Sequence, residues 1–231
     1  MRKLFLVPMM LPLLVAIAMG ANANTVTYQA SVPLTGCDWT KTLILQQFDP
    51  SMGTLNGVTL NLQADWQAWV EVENHSGATS WFRRWILGDA TLSNTDLGQV
   101  ISAQSPDPTG MGLALLNAFA SAYDGDPDFL GADTVSASNT FSASGTYIGT
   151  SADLSKFTGV GTIPFLFTII TTRTDSFSGG NFVSHEDNQA SGNIYVVYDF
   201  TPVPEPSSMA ALSAGLLGLV GLVRRKRGFR K

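Results

Sequence analysis

Strict alternation of apolar and polar residues is the feature that most constrains the fold of this chain. From Val58 to Val72 every second residue is apolar, and the residues between them are polar except Trp69. A repeat of two places alternate side chains on opposite faces of a β-strand, so this segment predicts a strand with one buried and one solvated face. It exceeds an ordinary strand in length, and we expect a bend or bulge near Asp65.

The same alternation recurs in shorter segments, and together they predict the fold class. Further strands are predicted at 26–34, 141–147, 165–169 and 194–200. Turn-forming residues lie at 49–50, 56–57, 74–77 and 178–181. One segment, Met111 to Tyr123, has apolar residues at helical spacing and predicts a short helix. The pattern as a whole favours an all-β, antiparallel β-sandwich of jelly-roll or Ig-like type with at most one short helix.

The N-terminal residues 1–23 have the organisation of a secretory signal peptide. Two basic residues precede an apolar stretch at 4–18, and Ala21 and Ala23 form an A-x-A cleavage pattern. The alternative is an uncleaved signal anchor, which is disfavoured by two prolines within the apolar stretch.

The C-terminal residues combine three features in a fixed order. A spacer at 202–206 contains Pro204, Glu205 and Pro206, and an uncharged apolar segment follows at 207–223. The basic tail at 224–231 begins with four consecutive cations: Arg224, Arg225, Lys226 and Arg227. At about 1.5 Å per residue the apolar segment is roughly 26 Å long, which predicts a transmembrane helix, with a buried core helix as the alternative. The cations predict that transfer stops there and that the tail stays in the cytoplasm.

These C-terminal features resemble the PEP-CTERM sorting signal. Proteins with that signal belong to Gram-negative bacteria that make extracellular polysaccharide, and the resemblance implies recognition by an exosortase, a membrane enzyme of transpeptidase type. It also implies cleavage near Pro204 to Pro206. We therefore expect export across the inner membrane, transient anchoring with residues 24–201 outside, and a final location at the cell surface or in the extracellular matrix. A Gram-positive LPxTG-like motif is absent, and a GPI signal would end without basic residues.

Three segments between the two signals resemble the choice-of-anchor E domain. They are residues 48–55, residues 123–125, and residues 196–198 just before the proline spacer. That family is a set of exported domains found with different anchoring signals. The resemblance implies an exported β domain over residues 24–201 and brings no known activity.

The charge of the exported domain excludes one class of partner. Residues 24–203 contain five Lys and Arg residues and 17 Asp and Glu residues, a net charge of about −12. Such a domain repels nucleic acid and anionic lipid surfaces. Its single cysteine, Cys37, cannot form an intramolecular disulfide, and we expect a buried, inert thiol, with intermolecular pairing or lipid attachment as alternatives.

Motifs of catalysis are absent from the sequence. It has no G-x-S-x-G, H-E-x-x-H or C-x-x-C motif and no phosphate-binding glycine loop. The two histidines, His75 and His185, lie in polar, turn-like stretches and are expected to be solvated. We therefore predict that the protein is not an enzyme and needs no cofactor.

One acidic segment predicts a metal site. Asp124, Asp126 and Asp128 alternate within a turn, a spacing that lets hard oxygen ligands converge on Ca²⁺. The segment departs from the EF-hand pattern, because Phe129 occupies the glycine position and Val135 the position of the bidentate glutamate. An ordinary acidic turn is the alternative.

The tryptophans separate the two functional classes that stay open. Tryptophan faces can stack on sugars, and Trp69 and Trp81 are expected to be the exposed ones, since Trp69 lies at a polar position of the alternation and Trp81 lies in a polar loop. The alternative is that the five tryptophans pack in the core. The favoured hypothesis is a non-catalytic surface or matrix protein that associates with exopolysaccharide or biofilm. The alternative is a secreted hydrolase of a matrix polysaccharide, which requires two convergent carboxylates in a groove.

Overall fold

A computed structural model describes residues 24–105, 113–203 and 213–217, and the first two ranges form a two-sheet antiparallel β-sandwich. This confirms the predicted fold class. The strands of these ranges are β1 (Asn24–Gly36), β2 (Trp39–Gln46), β3 (Gly53–Asn74), β4 (Ser80–Asn94), β5 (Gly98–Gln104), β6 (Leu113–Ala120), β7 (Thr134–Ile148), β8 (Thr162–Phe177) and β9 (Phe182–Pro202). A short helix, α1 (Leu154–Phe157), and a 3₁₀ turn at Pro50–Met52 lie between strands.

The sheet topology brings the two ends of the domain together. Sheet A has the order β1-β9-β3-β7, and sheet B has the order β2-β8-β4-β5, with β6 also paired to β4. Asn24 lies opposite Phe200, and Gly53 lies opposite Pro202. The turn between β3 and β4, residues 75–79, lies at the other end, which we call the distal end. At about 3.3 Å per residue, Trp69 on β3 is roughly 50 Å from Gly53.

The alternation identified the central strand correctly. All apolar residues of one parity between Val58 and Val72 are buried, and the other predicted strands lie within β1, β7, β8 and β9. The bulge was predicted in the wrong place. Pairing runs through Asp65 without interruption, and the register shift of β3 falls between Leu55 and Gly57, so the predicted turn at 56–57 is part of a strand.

The predicted helix between Met111 and Tyr123 is wrong for its described part, because Leu113–Ala120 is strand β6. It pairs with the start of β4, and a register shift between Arg84 and Trp85 interrupts the ladder. Leu115 and Leu116 are consequently both buried although they are neighbours in sequence. This break in parity made a β-strand resemble a helix.

Two large aromatic side chains pack directly against glycines of the opposite sheet. Trp66 of sheet A lies over Gly88 of sheet B, where an added Cβ would come within 2.5 Å of the indole ring. Phe167 of sheet B lies over Gly192 of sheet A, and a Cβ there would meet the ring even more closely. Both aromatics are fully buried in the larger core cluster. The two glycines therefore act as sockets that let the sheets approach each other.

An ion cluster centred on the buried guanidinium of Arg84 joins the sheets nearer the distal end. Arg84 is 5% exposed. Its side chain donates hydrogen bonds from Nε and Nη2 to Asp175, at 2.6 and 2.8 Å. Its Nη1 donates to Glu186 of the opposite sheet at 3.0 Å, and Arg173 also pairs with Glu186. Removing one partner of such a cluster leaves a buried charge uncompensated, so its members are coupled.

The glycine sockets generate a stability prediction. Gly192→Ala should lower the free energy of unfolding by about 1–3 kcal/mol, because the methyl group forces Phe167 out of its position in a close-packed core. Gly36→Ala is the matched control, since a Cβ there meets no atom within 4 Å and should change stability little. Urea unfolding of the two variants measures the difference, and equal stability would contradict the socket interpretation.

Candidate functional site

Trp69 projects from the outer face of sheet A near the distal end. Its neighbours Ala68 and Val70 point into the core and are buried, whereas Trp69 is 37% exposed. The opposite parity therefore places one large aromatic ring among polar side chains of the neighbouring strands. The predicted exposure of Trp69 is confirmed.

A shallow groove of about 470 Å³ surrounds Trp69, and we call it the Trp69 groove. Its side chains come from three adjacent strands: Gln67 and Trp69 on β3, Ser138, Asn139 and Thr140 on β7, and Asp187 and Gln189 on β9. The strand register fixes this arrangement, because Trp69 lies between Ser138 and Asp187 in the sheet. A second depression of about 220 Å³ continues along β3 toward Asp65. The two share Gln67 and Thr140 and form one elongated surface.

The polar groups of the Trp69 groove both donate and accept hydrogen bonds. Gln189 Nε2 donates to Asp187 Oδ2 at 2.8 Å, which holds this carboxylate in place. The Asn139 side chain accepts from the backbone N–H of Thr140 at 2.8 Å. Amides and hydroxyls beside an exposed aromatic face offer partners for the hydroxyl groups and the C–H face of a sugar. The surface therefore presents an aromatic face and hydrogen-bonding groups without forming an enclosed pocket.

The other tryptophans occupy different environments. Trp66 is buried and stacks on Phe141 with 5.4 Å between ring centroids, and Trp39 meets Phe167 edge-on at 5.3 Å. Trp81 is half-buried in strand β4, so its predicted position in an exposed polar loop is wrong. Sequence reasoning missed this strand.

A buried carboxylate anchors the loop at the distal end. Glu73 is 0% exposed, and its Oε1 accepts hydrogen bonds from the backbone N–H groups of Asp128 and Phe129 at 3.1 and 2.7 Å. Its Oε2 lies 2.5 Å from His75 Nε2. Burial acts to raise the pKa of Glu73, but the hydrogen bonds from His75, Phe129 and Asp128 outweigh it and lower this pKa.

Of the two histidines, His75 lacks the solvated environment predicted for it, whereas His185 is exposed as predicted. His75 is half-buried, pairs with Glu73 and stacks on Tyr123 with 4.4 Å between ring centroids. His185 lies within strand β9 and stacks on Phe129 at 4.0 Å. Both imidazoles thus help to fasten the segment 121–133 to the sandwich. Nothing in the sequence around Glu73 distinguishes it from the outward-facing Glu71.

The three predicted calcium ligands lie in this loop and are exposed. Asp124 Oδ1 accepts the N–H of Asp126 at 2.9 Å, and Asp128 Oδ1 accepts the N–H of Leu130 at 2.8 Å. Asp133 is 1% exposed, and its Oδ1 has no hydrogen-bond partner among the described residues. Over the same residues, no group of three or more His, Cys, Asp or Glu side chains is placed to hold a metal ion. Calcium binding by this loop stays a prediction.

The thiol of Cys37 is half-buried at the corner between β1 and β2. Burial raises the pKa of the Cys37 thiol, and the nearby Asp38 and Asp187 carboxylates act in the same direction. A raised pKa lowers the fraction of reactive thiolate, and the thiol is less deeply buried than predicted.

The targeting segments fall largely outside the described residues. This holds for the cleavage residues Ala21 and Ala23, the motif Pro204, Glu205 and Pro206, and the cations Arg224, Arg225, Lys226 and Arg227. Of the apolar segment, residues 213–217 are described and are helical. No helix within the described ranges is both long and apolar enough to span a membrane.

The family comparison decides the nature of the C-terminal tail. A model of the PEP-CTERM protein-sorting motif matches residues 202–227. The chain carries a PEP-CTERM sorting motif. The motif implies processing by an exosortase membrane enzyme, with export and transient anchoring before secretion or surface display. The match covers the tail alone, so the resemblance of the preceding domain to choice-of-anchor E stays a prediction.

Comparison with solved structures adds no functional information. A mud crab tombus-like virus structure aligns with 11% identity over 91% of this chain and 97% of its own, with a TM-score of 0.22. An infectious bursal disease virus structure aligns with 8% identity over 78% of this chain, which spans only 37% of the viral chain, with a TM-score of 0.19. Latent PorU from Porphyromonas gingivalis aligns with 9% identity over 79% of this chain and 14% of its own, with a TM-score of 0.19. These scores are too low to carry an inference. No curated protein matches the sequence.

The buried carboxylate generates a prediction about acid stability. The pKa of glutamate in an unfolded chain is about 4.3, and that of Glu73 in the folded protein is lower. The stabilising contribution of the ionised Glu73 side chain is therefore complete above the unfolded-state pKa and disappears as the pH falls through the folded-state pKa. Glu73→Gln should lower the melting temperature near neutral pH, and the difference from wild type should shrink in acid.

Melting curves between neutral and acidic pH measure this difference, and Glu71→Gln on the outer face of the same strand is the control. A Glu73→Gln deficit that stays constant with pH would show that the ionised carboxylate is not the stabilising species.

Calcium binding by Asp124, Asp126 and Asp128 is tested by the same measurement. A ligand that binds only the folded state stabilises it by mass action, so millimolar calcium should raise the melting temperature if the site forms. Asp126→Asn should abolish that increase, whereas Asp65→Asn, in another part of the surface, should not. Identical melting curves in calcium and in EDTA would leave the loop with a structural role only.

Proposed function

We propose that this chain is an exported, non-catalytic surface or matrix protein of a Gram-negative bacterium that binds exopolysaccharide through the Trp69 groove. The sorting motif supports export and exosortase processing. The Trp69 groove supports the polysaccharide ligand, because it combines one exposed aromatic face with neutral hydrogen-bonding groups and a single carboxylate, Asp187. This groove is the observation that carries the proposal.

The shape of the groove suits a polymer better than a small molecule. Asp65 and Trp69 mark its two ends and are separated by about 14 Å along β3. The floor is a sheet face whose side chains are fixed by pairing on both sides of β3. An extended chain of sugar rings could lie along such a surface, with one ring stacked on Trp69. Affinity would come from several contacts to successive sugar units of one polymer, while the other face of the polymer stays in solvent.

The alternative, a hydrolase acting on a matrix polysaccharide, has less support in the geometry. Asp175 and Glu186 converge on one point, but that point is occupied by the guanidinium of Arg84. The cavity beside Asp175 has a volume of about 10 Å³, enough for one water molecule at most. Both carboxylates are engaged in ion pairs with Arg84, and a structural role accounts for them.

Gel affinity electrophoresis with exopolysaccharide from the host tests the proposal. The full-length protein in detergent should be retarded by the polymer, and Trp69→Ala should weaken binding by about tenfold, as expected for loss of a central aromatic contact. Tyr195→Ala is the matched control, since Tyr195 also faces outward from sheet A but lies outside the groove. Equal retardation of wild type and Trp69→Ala would refute the assignment of the groove.

A further inference from the structure

A cation held between two tryptophans lies on the outer face of sheet B. Trp81, Arg83 and Trp85 occupy alternate positions of β4, so their side chains project from the same face. The guanidinium carbon of Arg83 lies 4.7 Å from the Trp81 ring centroid and 5.1 Å from the Trp85 ring centroid. Asn117 on β6 accepts hydrogen bonds from Trp81 Nε1 at 3.0 Å and from Arg83 Nε at 3.4 Å. We call these four residues the Arg83 platform.

The electrostatic environment of Arg83 differs from that of the next residue. Arg84 points inward and pairs with two carboxylates. Within residues 24–105 and 113–203, by contrast, no carboxylate forms an ion pair with Arg83. On β4 the next outward carboxylate is Asp89, about 20 Å along the strand. The half-buried guanidinium of Arg83 is thus a positive charge without an ion-pair partner in this part of the chain, on a domain whose net charge is strongly negative.

The side chains around the platform extend it as a flat surface. In the strand register, Phe119 lies opposite Trp81 on β6 and is 71% exposed, and Ser176 lies opposite Arg83 on β8. Aromatic rings and hydroxyl groups therefore flank the guanidinium on two strands. The stacking on both tryptophans limits the motion of Arg83, so little conformational entropy remains to be lost when it binds an anion.

We propose that the Arg83 platform binds the carboxylate-bearing sugars of an acidic polysaccharide. The planar fork of a guanidinium matches a carboxylate with two parallel hydrogen bonds, and the adjacent indole rings offer apolar contact to the C–H face of the same sugar. This site lies on the opposite sheet from the Trp69 groove, whose own carboxylate, Asp187, would repel such a ligand. It is an independent second site and holds whether or not the Trp69 groove binds a polymer.

Isothermal titration of the full-length protein in detergent with polygalacturonate tests the proposal. At physiological ionic strength, where salt screens the overall negative charge of the domain, wild type should bind polygalacturonate and bind its fully methyl-esterified form much more weakly, because esterification removes the charge and keeps the sugar. Arg83→Gln should reduce affinity for polygalacturonate by about tenfold or more. Arg83→Lys should bind polygalacturonate more tightly than Arg83→Gln but more weakly than wild type, since lysine keeps the charge without the planar fork of the guanidinium.

Two controls separate this site from general charge effects and from the Trp69 groove. Lys156→Gln makes the same change in net charge elsewhere and should leave affinity unchanged, as should Trp69→Ala. Melting temperatures of the Arg83 variants close to that of wild type exclude unfolding as the cause of lost binding. The proposal is overturned if Arg83→Gln binds polygalacturonate like wild type or if the methyl ester binds equally well. It is also overturned if polyglutamate binds as tightly as polygalacturonate, because the sugar would then not be recognised.

Discussion

The close approach of the two sheets depends on the packing of large aromatic rings against glycines. Trp66 on Gly88 and Phe167 on Gly192 are reciprocal contacts, each sheet supplying one ring and one socket. Dispersion contacts of this kind are individually weak, but a close-packed core has no space into which a displaced ring can move. The inner positions of β3 and β9 are therefore fixed, and so is the orientation of the alternate residues that face solvent. The geometry of the Trp69 groove is therefore set by the core beneath it, which includes Ala68 and Trp66.

The strands that could be predicted are those whose inner faces are uniformly apolar. In β3 the buried residues from Val58 to Val72 are all apolar, and the alternation is visible in the sequence. In β4 the inner face includes Arg84 and Gly88 while the outer face carries Trp81, Trp85 and Leu87, so the apolar residues lie on both parities. The ion pairs of Arg84 and the packing of Trp66 on Gly88 explain these inner residues, but both depend on partners far away in the chain. Local sequence therefore could not reveal β4.

The candidate sites divide in the same way. The exposure of Trp69 follows from its parity within one segment, and the sorting tail is recognisable because all of its features are contiguous. The partners of Trp69, in contrast, come from β7 and β9, and only the strand register shows that Ser138 and Asp187 flank it. Glu73 was missed because the groups that hold it, the backbone amides of Asp128 and Phe129, carry no side-chain signature. Hydrogen bonds donated by the main chain are hard to predict from a sequence, because every residue except proline has the same backbone N–H group.

The pairing of β3 with β9 also determines how the domain would respond to mechanical load. Trp69 lies on β3 near the distal end, and the chain leaves the sandwich at Pro202, the last residue of β9. A pull between a polymer held at Trp69 and a tether beyond Pro202 runs along these two antiparallel strands. The hydrogen bonds between them, from the Trp69–Asp187 pair to the Gly53–Pro202 pair, are then loaded together in shear and do not break one after another. The longest ladder of the sandwich would thus serve as the force-bearing connection between ligand and anchor.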